Sequence, residues 1–516
     1  MSRKLAFIIF IVLVIGTIYR LVLTSNGNFI FNMDNARDLV DVREMVELKK
    51  LRLTGPTSAI EGFFNGPAWY YLLAIPYALS GGDPYSAIVM EILLWAVGGY
   101  FLLKLVSDWG RWIVLVVGSV WVASNYIVLA TVYSFNPNPV TLLTPLFIFT
   151  LVKYIKTDKL IYAISVFLLG GLFFNFEMNF GIFTPLIIFF SLFVYKKFSV
   201  FKSRNFWIGS LFFATALLPQ VLFDLKHDFL MTNSVLNYLR NTPAGNYDIF
   251  SRLQLIANTF FGTFIPTLMN YKTIAQILII LFVPIIIKSI KLGELKKNPV
   301  VLASVLYIFI PFVGYVLLPV TVNPWHLGGP MTASLILIAF VLSRVNQINF
   351  AGKITSFLLG FTLLFFSFNN IANYFRERSK PNMDPSLFAN EMKAIDYAYK
   401  LADGKNFKLY SYLPSVIDFP YQYLIWWHGR KSYGYLPSEY AYSPNIPRYI
   451  SNKQFFSANQ ESLKQRDNSG LVFMVKEPDR IKMRRAWEDD FDPLKFISKE
   501  MIGPLEIEVR KEETQP

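Results

Sequence analysis

Long apolar segments recur along this chain, each separated from the next by a short polar or basic loop. The stretches 5–23, 85–106, 112–131, 139–154, 160–175, 180–195, 206–222, 272–290, 299–318, 328–343 and 353–372 are nearly free of charge. Crossing about 30 Å of hydrocarbon at about 1.5 Å per residue takes roughly 20 apolar residues. These stretches therefore read as about eleven membrane-spanning helices. Of the 516 residues, 54% are hydrophobic and 16% charged, more apolar surface than a soluble globule can bury. The expected fold class is a polytopic α-helical membrane protein. The run after Arg3-Lys4 has no small-residue cleavage site and reads as an uncleaved first helix.

The net charge of +14 would suggest nucleic acid in a soluble protein, but here the Lys and Arg sit between spans. That is the positive-inside pattern. With the N-terminus in the cytoplasm, the loops Lys104–Arg111, Lys153–Lys159, Lys196–Arg204, Lys288–Lys297 and Arg344–Lys353 all fall inside. This holds only if the apolar stretch 67–80, short and marked by Pro67 and Pro76, does not cross. It is expected to be re-entrant or to lie in the interface. Cys is absent, so disulfide and thiolate chemistry are excluded.

The outer face then receives a long first loop, 24–84, and the turn Tyr133–Pro139. It also receives Asn175–Asn179, a loop at 223–271, and Val320–His326. From about Asn373 charge becomes dense and apolar runs shorten. Glu391–Leu401 reads as an amphipathic helix, and Phe407–Tyr412, Gly470–Val475 and Leu505–Val509 read as strands. Two domains are expected: 1–372 in the membrane, and 373–516 as a small extracytoplasmic α/β domain ending in the charged tail Arg510–Pro516.

The polar residues on the outer face each admit a functional and a structural reading. Asp34 can take a proton from an acceptor, or can cap a helix over about Ala36–Lys50 whose Leu39, Val42 and Val46 form a stripe. Asn136 and Asn138 can bind sugar hydroxyls or phosphate, but tandem Asn-Pro is first a turn signal. Glu177 lies among Phe174, Phe176 and Phe180, where an acid is costly unless paired or facing a wet cavity. His326, followed by Gly328-Gly329-Pro330, stands at a helix entry suited to an anion. Asp224, His227 and Asp228 cannot easily face one ion, and that loop reads as solvated. The rings of Tyr421–Tyr435 suit core or interface packing better than glycan stacking.

The order of Asp34, Arg37, Arg43-Glu44-Met45, Gly55-Pro56 and Asn65-Gly66-Pro67-Ala68-Trp69-Tyr70-Tyr71 resembles the polyprenyl-phosphate-dependent glycosyltransferases of the C superfold. Protein O-mannosyltransferases and lipid A aminoarabinose transferases belong to that group. The resemblance covers roughly residues 1–200 and, more weakly, the His326 loop. It implies a GT-C-like fold and transfer of a sugar from a polyprenyl-phosphate donor, on the outer face of the cell membrane, to an acceptor it does not identify. It implies Asp34 as the catalytic residue, and Arg37, Asn65, Tyr70, Asn136, Asn138, Glu177 and His326 as substrate-binding. The family's Asp-Glu pair is Asp34-Asn35 here, which puts chemistry needing two adjacent carboxylates in doubt and leaves single-base chemistry intact. No cofactor is required on this reading, although a divalent cation on the donor phosphate is compatible with it. Two rivals remain: an O-antigen polymerase or ligase, and a transporter or flippase. A transporter would be expected to carry intramembrane charges and discontinuous helices, and neither is read from the sequence.

Overall fold

The computed structural model describes residues 2–241, 248–269, 271–289, 297–318, 320–378, 380, 382–444, 450, 452–453, 456 and 466–512. The chain clusters into two compact units. Met1–Val22, Leu51–Leu72 and Val89–Phe375 form the first; Leu23–Lys50, Leu73–Ile88 and Arg376–Pro516 form the second. The two ends of the first loop, 24–50 and 73–84, thus share a unit with the C-terminal segment, where the sequence reading cuts the chain once at 372/373.

The helices begin with α1 (Arg3–Thr24), α2 (Met33–Glu47), α3 (Ala68–Ser80), α4 (Tyr85–Val106), α5 (Arg111–Ala123), α6 (Asn125–Val132) and α7 (Asn138–Thr157). They continue with α8 (Leu160–Phe176), α9 (Met178–Gly181), α10 (Thr184–Lys196), α11 (Arg204–Lys226), α12 (Leu230–Asn241), α13 (Ile249–Leu268) and α14 (Lys272–Ser289). Then come α15 (Pro299–Leu317), α16 (Gly328–Asn346) and α17 (Phe350–Arg378). All the apolar segments read from sequence lie on helices. Among the described residues, eight helices are long and apolar enough to cross a membrane, or nine if α5 and α6 count as one bent span. α8, with 17 residues, is shorter. Part of the expected Lys288–Lys297 loop lies outside the described residues, as does the end of the Arg510–Pro516 tail.

Two expectations change. The 223–271 segment is helical, not an open loop: α12 and α13 occupy most of it. α3 has 13 residues with Pro76 inside, about 20 Å of helix and too short to span. Its Trp69 and Tyr70 are fully buried in protein, not at the interface as expected, and Tyr71 is the ring left exposed.

α16 is the innermost helix, with its whole apolar stretch buried, whereas few residues of α11, which packs on α8, are fully buried. Close approach to α7 comes from missing side chains. A Cβ on Gly98 would lie 1.7 Å from the Leu142 carbonyl oxygen, and one on Gly328 would lie 1.8 Å from Thr141 Oγ1. Small residues at such crossings let backbones meet where lipid supplies no hydrophobic drive.

The sequence reading found no intramembrane charges and no discontinuous helices in matching halves. The described residues do show one bent helix pair and buried charged side chains on apolar helices, Arg20 and Glu91 among them. α5 and α6 bend by 49° at Ser124, which removes helical partners from the carbonyls before the break. Arg20 of α1 donates to the Trp121 and Val122 oxygens at 3.3 and 3.2 Å, with its guanidinium 3.8 Å over the Trp95 ring. Trp95 Nε1 donates to the Trp121 oxygen as well, and Asn370 Nδ2 donates to that of Ala123. The buried arginine is thus committed to the break, and Glu91 of α4 is committed to a loop described below.

The second unit holds a five-stranded sheet in the order β2-β1-β3-β5-β4. Its strands are β1 (Asn406–Tyr412), β2 (Glu439–Ala441), β3 (Asn468–Lys476), β4 (Lys495–Ile502) and β5 (Leu505–Lys511). β2, β1 and β3 pair in parallel, and β3, β5 and β4 antiparallel. Val472 and Met474 join Tyr410, Tyr412, Trp487 and Phe491 on one face. Phe407, Leu409, Phe473 and Val475 are buried too, as are Ala394, Ile395 and Ala398 of the helix Phe388–Ala402. Cover on both faces explains the unbroken run Leu471–Val475. β4, at the edge, is largely exposed and carries Lys495 and Lys499, which discourage further pairing. Helix α2 packs on the helix Phe419–His428, where Arg43 is buried with its guanidinium over the rings of Trp426 and Phe456 at 4.7 and 4.2 Å.

Candidate active site

Each unit carries one group of polar side chains with chemical potential. In the second unit it is the start of α2. Asn32 caps this helix, accepting the Asp34 N–H at 3.0 Å, so the capping role considered for Asp34 belongs to its neighbour. Asp34 lies in the first turn, where the helix dipole favours negative charge. Arg37 reaches Asp34 at 3.2 Å and Asp38 at 2.9 Å. Asp38 is buried, while about a third of Asp34 is exposed (34%), so Asp34 is the carboxylate of the pair that solvent reaches. Asn35 turns inward and donates to the Ile30 oxygen at 2.8 Å. The second carboxylate on this helix is therefore Asp38, one turn on, with a guanidinium already bridging it to Asp34.

In the first unit the group gathers where α8 ends. Glu177 caps α9 by accepting the Asn179 N–H at 3.1 Å. His326 Nε2 stands 4.0 Å from Glu177 Oε1, and both side chains are buried. Nδ1 of His326 accepts the Asn323 N–H at 3.2 Å, which places the ring proton on Nε2 in the neutral imidazole. Nε2 lies 3.2 Å from Asn179 Nδ2, and with the ring proton on Nε2 that amide is turned over so that its oxygen accepts. The surrounding backbone is pinned from several sides. Tyr315 Oη donates to the Asn179 oxygen at 3.0 Å, and Tyr126 Oη to that of Pro324 at 2.8 Å. Arg252 of α13, also buried, donates to the oxygens of Tyr315 and Leu318 at 3.0 and 2.9 Å, and to that of Val320.

The amides proposed from sequence as ligands each make a hydrogen bond to backbone through Nδ2. Asn136 donates to the Phe176 oxygen and Asn138 to that of Tyr133, both at 2.6 Å. Asn65 sits in the hairpin of the 55–66 segment, with its own N–H on the Pro56 oxygen at 2.9 Å and its side-chain amide on the same atom at 3.5 Å. A Cβ on Gly66 would overlap Asn175, which fixes that hairpin against α8. Tyr70 is enclosed rather than open to a ligand. His227 lies on the Phe223 ring with centroids 4.0 Å apart and Asp224 accepts the Met231 N–H at 2.7 Å, so this is an ordered helix junction whose residues 226–229 are exposed. Tyr421, Tyr423 and Trp426 are buried core.

Among the described residues, Glu488, Glu506 and Glu508 stand close enough to share an ion. Buried Lys476 already takes that place, with Arg484 and Arg510 beside it. Elsewhere in the second unit, burial pushes the Asp418 and Glu477 carboxyls up to about 6 and about 7. Glu391 is pushed well above the usual carboxylate range, by burial first and then by Glu477 and Asp384. An open cleft of about 730 Å³ lies between Ile60–Gly62 and α12, lined by Leu230, Ser234 and Tyr238. It touches neither polar group.

Sequence reasoning missed Asn32, Asp38, Arg252, Tyr315 and Glu91. The period of α13 around Arg252 was the available signal, since a lone arginine in an otherwise apolar helix calls for buried acceptors.

No family model and no curated protein matches the sequence. The fold does match solved structures. ArnT from Cupriavidus metallidurans bound to undecaprenyl phosphate aligns with a TM-score of 0.58 and 11% identity, over 97% of each chain. The same protein in the apo state aligns with a TM-score of 0.58 and 10% identity, over 98% of each chain.

Proposed function

We propose that this chain, which has the ArnT fold and so the C-superfold architecture, is a membrane glycosyltransferase that uses a polyprenyl-phosphate-linked sugar. The fold likeness extends over nearly the whole of both chains, and one of the structures named above holds undecaprenyl phosphate. The observation that carries the chemistry is Asp34, held by Arg37 in the first turn of a capped helix and reached by solvent.

In the proposed reaction an acceptor hydroxyl or amine attacks the anomeric carbon of the donor. The bond from that carbon to the phosphate oxygen breaks, with inversion, and the polyprenyl phosphate leaves with the electron pair. Asp34 takes the acceptor proton as general base. His326, neutral and with its proton on Nε2, acts as a hydrogen-bond donor to phosphate oxygen. Arg252 and Tyr315 hold the backbone that presents it. The active face and the sheet domain are extracytoplasmic on this reading, because basic loops lie on the opposite side.

The test is to incubate the purified protein with a panel of polyprenyl-phosphate sugars and follow transfer and donor hydrolysis. Release of sugar from at least one donor, abolished by Asp34→Asn, supports the reading. Inertness toward every donor in the panel, with intact protein, counts against it.

A further inference from the structure

Glu91 stands in the second turn of α4, fully buried in a helix otherwise apolar around it, and the proposed chemistry does not use it. A buried acid in such a helix is costly and is retained for what it holds. Its Oε1 accepts the Phe135 N–H and the Asn138 side-chain amide, each at 3.4 Å. Its Oε2 is sealed and has no hydrogen-bond partner.

Both donors belong to the turn Tyr133–Asn138, and that turn touches each half of the Glu177–His326 pair. Asn136 donates to the oxygen of Phe176, the residue directly before Glu177, at 2.6 Å. The Phe135 ring meets Trp325, the residue directly before His326, edge to face with centroids 6.2 Å apart. Asn138 closes the turn on itself through the Tyr133 oxygen. One buried acceptor thus anchors a turn from which two contacts lead to residues from α8 and from the α15–α16 connection.

We propose that Glu91 is a positioning residue, which sets the mutual placement of Glu177 and His326 by accepting two hydrogen bonds from the turn between them. Its role in catalysis rests on the transferase reading above; its anchoring of the turn does not. What matters is the acceptor oxygen and not the charge. Glutamine offers the same oxygen at the same reach, whereas an apolar side chain leaves the Phe135 N–H and the Asn138 amide without that acceptor.

The chain has no cysteine, so one introduced at buried Ser134 reports on the turn without background. Labelling by a water-soluble maleimide is compared for S134C alone and combined with E91Q, E91L or E91M, with size-exclusion elution checking that each remains folded. The expected result is slow labelling in S134C and E91Q, and labelling faster by about tenfold or more in E91L and E91M. In the transfer assay, E91L and E91M lose about tenfold to a hundredfold in kcat with little change in KM, and E91Q restores it, since misplacement by about 1 Å costs on that scale. Unchanged labelling in both apolar variants overturns the anchoring. Faster labelling with unchanged turnover overturns the positioning role, and E91Q as impaired as E91L shows that the charge matters instead. If the wild type transfers no sugar at all, the transferase reading fails, and labelling alone still decides the anchoring.

Discussion

Asp34→Asn separates catalysis from structure because of where the helix cap lies. Had Asp34 been the cap, an asparagine there would have capped nearly as well. The cap is Asn32, which accepts the Asp34 backbone N–H, and that bond does not depend on the Asp34 side chain. The Asp34 carboxylate itself pairs with Arg37 at 3.2 Å. That pair is partly open to solvent, and exposed pairs contribute about 0–1 kcal/mol. Arg37 keeps Asp38 at 2.9 Å in either case. The expected cost to stability is therefore below about 1 kcal/mol. Loss of a positioned base costs about 10²–10⁴ in turnover. Asn32→Ala is the mirror experiment: it removes the cap at about 1 kcal/mol and leaves the base in place. The assay is sugar transfer from the active polyprenyl-phosphate donor, beside thermal unfolding of both variants. A stable Asp34→Asn protein with near-normal transfer would refute the catalytic assignment.

Three further outcomes are expected. Glu391 holds a proton in the folded state at pH values where the unfolded chain has lost it, because its carboxyl is sealed without a hydrogen-bond partner. Its contribution to stability is therefore present below the ordinary carboxylate range and falls as pH rises above it. Glu391→Gln should raise Tm at about pH 7.5 and leave it unchanged near pH 4, and an equal shift at both would contradict this. Lys476→Met should unfold the sheet domain early: it strands carboxylates that Lys476 meets at 2.7 and 3.4 Å. The cost is about 3–5 kcal/mol for a broken buried pair, or roughly 6–20 °C in the domain's near-ultraviolet circular dichroism melt. A C-terminal phosphatase fusion should be active and a cytosol-requiring fluorescent fusion dark; the reverse would overturn the outward placement of the sheet domain.

The helices were legible because apolar length is a local signal: 85–106 was read as a span, and α4 runs Tyr85–Val106. Three of the five strands were legible for the same reason, since runs such as Leu471–Val475 are unbroken, whereas the three-residue β2 and the exposed edge strand β4 were missed. The segment 223–271 was not, because Arg252 interrupts its apolar run and nothing linear shows three carbonyl oxygens waiting for a guanidinium. Glu177 and His326 were each picked out singly as costly or unusual residues. That they stand 4.0 Å apart depends on a fold that joins residues far apart in the chain. The tandem Asn-Pro turn was read correctly as a turn, but its anchoring acid, Glu91, lies in a helix 44 residues earlier. Asn32 was passed over as a cap because Asp34 and the stripe after Ala36 drew the helix start two to three residues late.

The arginine at the end of α1 has a consequence for how the chain is made. Arg20 and its acceptor Val122 are separated by 102 residues. At about 5–20 residues per second, ribosomal synthesis delivers that acceptor roughly 5–20 s after the arginine. During that interval Arg20 keeps the Gly16 oxygen of its own helix but lacks the Trp121 and Val122 oxygens. A charge at the centre of an inserting helix costs about 2.5–3.5 kcal/mol on translocon scales, and Arg20, near the end of α1, carries a smaller penalty that still favours α1 lingering at the insertion machinery or at the lipid surface until the bent pair arrives. The order of assembly is then written into one side chain. The first helix to be translated cannot settle fully until the break in α5–α6 has been made.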